Sequence, residues 1–240
     1  MPRLYVPVAM QVGTLELPAA AKRHLHVLRL RGGDAVELFD GAGGEWQARV
    51  LDNARVEVLG HDAIERELDV RVTLALAMPA NERMDWLVEK ATELGAAQLQ
   101  PLQSARSVLR LHGERAQRRQ AHWQAIAEAA CAQCGRNRVP QVLQVRELDD
   151  WLGTLPAPRP TQARCLLAAP AHGAASSYAA WSAGPGAVAE VLALSGPEGG
   201  LEAGEIASAG AAGFAAVSLG PRVLRAETAP LALLAALAVR

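Results

Sequence analysis

The sequence predicts an α/β protein, with a mostly parallel, layered sheet over residues 70–240 preceded by a small, mostly β domain over residues 1–69. Beyond Val70, short apolar runs alternate with amphipathic or alanine-rich stretches, the pattern of strands joined by crossover helices. Before it, β-branched runs are separated by glycine- and aspartate-rich turns, with one helical interval. A chain of 240 residues can hold one large domain or two modest ones, so the length permits the division.

Taken in order, "RLYVPV" reads as the first strand, and "PAAAKRHLHVLRL" as a helix that Pro18 starts and Gly32-Gly33 stops. "DAVELFDGAGGEWQARVLDNARVEVLG" has the form of a β-meander turning at Asp40–Gly44 and at Asp52-Asn53. The charged stretch "HDAIERELD" suits a linker or an edge strand. "VRVTLALAM" then reads as a buried strand and "NERMDWLVEKATELGA" as a helix. Met84, Leu87, Val88, Ala91 and Leu94 share one face of it, and Gly95 closes it. "AQLQPL" is a second strand and 114–134 a long helix. "RCLLAA", "AVAEVLAL" and "FAAVSL" follow as strands, with "EAGEIASAGAAG" and "AETAPLALLAALAV" as helices.

No apolar run is long and unbroken enough to cross a bilayer, and "MPRLYVPVAM" lacks the zones of a secretory signal. Three cysteines, an odd number, do not make a disulfide framework. A soluble, reducing, cytoplasmic setting is therefore expected, without membrane association. The net charge of −1 hides an uneven spread, since residues 70–140 carry 10 basic against 6 acidic side chains. That segment could face a polyanion or be a solvated helix face, and charge alone favours the latter.

Two glycine–proline turns follow the late apolar runs: Ser195-Gly196-Pro197-Glu198-Gly199-Gly200 and Leu219-Gly220-Pro221-Arg222. Parallel sheets bind ligands at the carboxyl ends of their strands, where both turns fall. Glycine lets backbone amides approach a ligand closely, and proline stiffens the loop in advance. Neither turn is a P-loop or the dinucleotide fingerprint G-x-G-x-x-G. Each could also be only a tight strand-to-helix turn, a reading that two such loops make less attractive than one. Cys131 and Cys134 form a C-x-x-C at a helix end, with neither a second pair nor spaced histidines to complete a zinc site, so ordinary packing is expected and no metal. Trp46, Trp86, Trp123, Trp151 and Trp181 are dispersed, which suits core or interface anchoring better than base stacking.

"LSGPEGGLEAGEI" followed by "SLGPRVLRAETA" closely resembles the paired motifs of the SPOUT methyltransferases, and more narrowly the bacterial family that methylates uracil N3 in 16S ribosomal RNA. The resemblance continues through "HLHVLRLRGGD", "LFDGAGGEW", "ERMDWLVEKATELGA", "SARSV" and "AACAQCGRNRVP", nearly the whole chain in the expected order. Two departures are visible: Ala105 stands where the family has an acidic residue, and Ala80–Asn81 where it has a basic one. The resemblance implies an N-terminal PUA-like, RNA-binding β-barrel domain and a C-terminal α/β domain with a deep trefoil knot, an exception to the usual rules of chain connection. It implies a homodimer whose knotted loops hold S-adenosylmethionine, acting on 16S ribosomal RNA within the small ribosomal subunit.

Carried onto this chain, the implied cofactor contacts are Leu194, Gly196, Glu198, Gly199 and Gly200 in the first loop, Leu219, Gly220 and Leu224 in the second, and Pro170 in a third wall. Arg225 is the candidate to stabilise a developing uracil anion, or else it pairs with Glu198 or Glu227 or caps the knot. Glu198 is the candidate general base, or else it holds the loop by accepting backbone hydrogen bonds. Among many arginines, Arg3, Arg29, Arg31, Arg106 and Arg136 are the expected RNA contacts, with Arg29 and Arg136 preferred because they lie in family-like motifs. Two other classes compete with an RNA methyltransferase. One is a non-catalytic RNA-binding or assembly protein; the other is a nicotinamide-dependent oxidoreductase, which the missing fingerprint disfavours.

Overall fold

The computed structural model describes residues 1–80, 82–167, 175–184 and 188–239. The chain divides into two compact units, one of residues 1–67 with 128–139 and the other of residues 68–127 with 140–240. The first therefore takes in a segment, 128–139, that the sequence pattern groups with the second.

In the first unit, β1 (Arg3–Tyr5), β2 (Gly13–Glu16), β3 (Ala35–Phe39), β4 (Glu45–Val50) and β5 (Arg55–Asp62) form a five-stranded sheet in the order β1-β3-β4-β5-β2. Helix α1 (Ala19–Val27) packs Ala21 and Leu25 into the apolar cluster of Leu4, Val36, Leu38, Val56 and Val58. It stops before the Gly32-Gly33 pair, because Leu28 caps it and Arg29 takes a left-handed φ of 56°. Strand β2 spans four residues with Leu15 as its one large apolar side chain, too little for periodicity to register.

A buried polar cluster closes this unit. Glu45 accepts from Arg66 at 2.7 Å, from Asn137 at 3.1 Å and from Arg3 at 3.2 Å. Arg3 also meets Glu37 and donates to Asn137 Oδ1 at 2.7 Å, while Arg136 pairs with Glu67. The Arg66 guanidinium, opposed in part by burial, holds the Glu45 carboxyl below its usual range. Arg3 and Arg136, expected to touch RNA, are thus committed inward; the Arg136 side chain is only 4 % exposed. Their motif residues read as cationic, but long-range carboxylates claim them. Cys131 packs in the same region, donating to the Arg138 carbonyl at 3.6 Å, with its thiol pushed up to about 12 by burial.

The second unit holds β6 (Arg71–Ala77), α2 (Glu82–Glu93), β7 (Gln98–Gln103), most of α3 (Gly113–Cys134), β8 (Gln141–Val142), β9 (Arg146–Glu147) and α4 (Leu148–Gly153). It continues with β10 (Gln162–Leu167), β11 (Ser176–Ser177), α5 (Tyr178–Ser182), β12 (Glu190–Ser195), α6 (Ala203–Ala211), β13 (Ala215–Ser218) and α7 (Thr228–Ala238). Among the described residues the strands run β11-β13-β10-β12-β6-β7-β8, every pairing parallel, with β9 also beside β7. Alternation along the strands sends side chains to two cores. Leu74, Leu76, Val191 and Ala193 pack with Met84, Leu87 and Val88 of α2 and Leu233 and Leu234 of α7. Ala75, Leu192 and Leu194 pack on the other face with Trp151, Ala209 and Phe214. Covering both faces is what an all-parallel sheet requires.

Candidate functional site

Strands β13, β10 and β12 are consecutive neighbours, so their carboxyl ends open at one edge; Leu167 is in register with both Ser195 and Val217. A cavity of about 520 Å³ lies there. Its floor is Leu166, Leu167 and Ala216 from the strand ends, its sides are the two glycine–proline loops, and Arg83, Ile206 and Ala229 come from helices. Apolar side chains share the lining with backbone and charged groups, the make-up of a small-molecule site.

The first loop is tied down on every side. Gly200 takes a φ of +68° and its N–H donates to the Pro197 carbonyl at 2.9 Å, closing the turn. A Cβ on Gly196 would stand 3.2 Å from Leu201 Cγ, tighter than ordinary contact. Glu198 Oε1 accepts from the Ala80 N–H at 3.2 Å and from Arg83 Nη1 at 2.9 Å. Arg106 Nη1 donates to the Gly199 carbonyl at 3.0 Å. Beyond the loop, Glu205 is buried; its Oε2 accepts from the Glu202 N–H at 2.8 Å and its Oε1 from the Ala105 N–H at 2.7 Å. Ala105 thus contributes through its backbone N–H.

Among the described residues, the side-chain hydrogen bonds of the second loop lie at its base. The Ser218 hydroxyl donates to the Gly220 carbonyl at 3.0 Å, and Gly220 adopts a φ of +124° that a side chain would strain. Beyond it, Arg222, Val223, Leu224 and Arg225 line the cavity, and Val223 is 76 % exposed. The guanidiniums of Arg222 and Arg225 are exposed and form no ion pair among the described residues. The Arg225 carbonyl accepts from the N–H groups of Thr228 and Ala229, starting α7.

Gly196, Glu198, Gly200, Leu219, Leu224 and Arg225 therefore meet around one cavity. Leu194 does not join them; it is fully buried in the core beside Phe214, because alternation along β12 turns it under α6. Gly199 and Gly220 shape the loops without lining the cavity, and Pro170 lies outside the described residues. Arg29 and Arg31 are exposed, while Arg106 is engaged by the first loop. Pairing of Arg225 with Glu198 or Glu227 is not found: Arg83 takes Glu198 and stands 4.0 Å from Glu227. Sequence reasoning missed Arg83, Arg222 and Glu205. Glu202-x-x-Glu205 lacks the Ser, Thr, Asp or Asn that opens the usual helix-start signature, so neither it nor Arg83 carried a local signal.

Residues 66–238 match the RNA methyltransferase domain family, and residues 17–58 match the RNA methyltransferase PUA domain. The chain belongs to the RNA methyltransferase family. Ribosomal RNA small subunit methyltransferase E of Synechocystis is 35% identical over 92% of this chain and 72% of its own length; that of Bacillus subtilis is 32% identical over 89% and 84%. Among solved structures, ribosomal RNA small subunit methyltransferase E from Neisseria gonorrhoeae, bound to S-adenosylmethionine, is 40% identical with a TM-score of 0.88, covering 98% of this chain and 96% of that one. A Legionella pneumophila protein in complex with the same cofactor is 32% identical with a TM-score of 0.89, over 99% and 97%. Within this family the fold is that of the SPOUT methyltransferases with a PUA-like N-terminal domain.

Proposed function

We propose that this protein transfers a methyl group from S-adenosylmethionine to N3 of a uridine in 16S ribosomal RNA. The observation that carries the reading is the single cavity formed where both glycine–proline loops meet the carboxyl ends of β10, β12 and β13. The site fits the cofactor. Leu166, Leu219 and Leu224 offer apolar faces to an adenine, and Gly196 lets the loop fold tightly onto Leu201, whose Cγ a Cβ there would crowd at 3.2 Å. When bound, the cofactor supplies an activated methyl group on a sulfonium. The position of β13 between β10 and β11, two strands that precede it in the chain, supports a threaded C-terminal segment of the kind a trefoil knot needs.

Uracil N3 bears a weakly acidic proton, so a cation over O2 or O4 stabilises the anion left when that proton departs. Arg225 is assigned that role because its guanidinium is at the cavity and uncommitted among the described residues. Glu198 is assigned to loop holding rather than proton removal, since its Oε1 already accepts two hydrogen bonds; solvent takes the proton. Exposed Arg29 and Arg31 are assigned to phosphate contacts. A homodimer working on the small ribosomal subunit in the cytoplasm completes the reading, consistent with the lack of any described helix long and apolar enough to cross a membrane. The test is to incubate the protein with labelled cofactor and small subunits from a strain lacking the modification. Label mapping to N3 of one uridine is expected; subunits that stay unlabelled overturn the proposal.

A further inference from the structure

Arg83 sits in the first turn of α2, remote in sequence from both glycine loops. Its side chain nonetheless reaches the cavity wall. Nη1 donates to Glu198 Oε1 at 2.9 Å, and Nε stands 4.0 Å from Glu227 Oε1. Glu198 belongs to the first loop, and Glu227 lies where the second loop enters α7. One guanidinium therefore faces a carboxylate from each side of the cavity. The Ala80 N–H, from the turn that precedes α2, reinforces the contact by donating to the same Glu198 oxygen.

Burial makes the arrangement consequential. Glu227 is enclosed, and its Oε2 has no hydrogen-bond partner among the described residues. A carboxylate in that position is costly without a cation nearby, and Arg83 is the cation that approaches it. By contrast, the Arg83–Glu198 pair is partly exposed, so its contribution lies in geometry more than in bulk stability.

We propose that Arg83 is a positioning residue: held between Glu198 and Glu227, it sets the separation of the two glycine loops and thereby the affinity of the cavity for S-adenosylmethionine. The proposal rests on the methyltransferase reading of that cavity. Four variants test it: Arg83→Ala, Arg83→Lys, Glu198→Gln and the double Arg83→Ala/Glu198→Gln. Titration calorimetry should find cofactor affinity about tenfold weaker in Arg83→Ala, with the KM for cofactor raised to match and kcat at saturation within about threefold of wild type. Arg83→Lys should recover part of the loss, and the double variant should bind no more weakly than the weaker single one.

Hydrogen exchange of the cofactor-free protein gives an independent readout: amides of residues 198–201 should exchange faster in Arg83→Ala. Affinity within about twofold of wild type, losses that multiply in the double variant, or a kcat that falls at constant KM would each overturn the proposal. If Arg83→Ala fails to fold, Arg83→Lys and Glu198→Gln carry the same comparison. A wild-type protein that binds no cofactor would defeat the methyltransferase reading instead. The exchange experiment would then still decide the clamp, which unchanged loop amides would refute.

Discussion

The two glycine loops are alike in sequence and opposite in how they are held. The first is fastened by Arg83 and Ala80 at Glu198, by Arg106 at the Gly199 carbonyl and by the cap that Glu205 builds at the start of α6. The second is fixed at Ser218 and Gly220 and then carries two exposed guanidiniums past the cavity. A loop with its polar groups satisfied is pre-organised and loses little entropy when a ligand arrives. A loop with uncommitted cations keeps its electrostatic capacity for charge that develops during a reaction. On the proposed reading, the first loop together with Leu219 and Leu224 of the second grips the cofactor, and the exposed guanidiniums of the second loop serve the transition state and the RNA.

The largest expected effect tests that division directly. Arg225→Ala should lower single-turnover methylation about 100-fold while calorimetry finds cofactor affinity changed less than about threefold. An equal fall in both would merge the two loops into one binding device. Gly220→Val should come next, because a β-branched residue at a φ of +124° strains the base of the second loop. Thermal unfolding should report about 1–3 kcal/mol lost, with cofactor affinity falling as well.

A control outside both loops sharpens the contrast. Glu45→Gln should destabilise the first unit by about 2 kcal/mol at neutral pH, as the hydrogen bonds of the buried cations lose their charged acceptor. Since the folded protein holds the Glu45 carboxyl below its ordinary value, its contribution is fully present above the usual carboxylate range and is lost as pH falls through the lowered value. Unfolding followed against pH should therefore show an acid limb in wild type that is flatter in Glu45→Gln, with cofactor affinity at pH 7 unchanged in the folded variant. The smallest effect is expected for Arg222→Ala. It should raise the KM for RNA about threefold and reduce its salt dependence, without altering cofactor binding.

The stretch from Val70 to Leu102 was legible because its apolar residues keep a strict helical or strand period, and Met84, Leu87, Val88 and Ala91 are indeed fully buried. The short elements β8, β9, β11, α4 and α5 were not, since two to six residues are too few for periodicity to register. Leu194 was expected at the cavity from the motif alone, and its side chain packs in the core, as the alternation of β12 implies when it and Ser195 face opposite sides. Arg136 fared likewise. Lying in a basic motif says that a residue is charged and says nothing of which carboxylate it will meet.

The sequence by itself determined the α/β class, the crossover pattern and the placing of stiff small-residue loops after strands, because these follow from local periodicity and from what glycine and proline permit the backbone. Tertiary structure alone decided that β10 would lie between β12 and β13 and that Arg83 would meet a carboxylate 115 residues away. Strand order and ion pairing are settled by competition among many distant partners for the same buried edge or charge. No local pattern along the chain records the outcome of that competition.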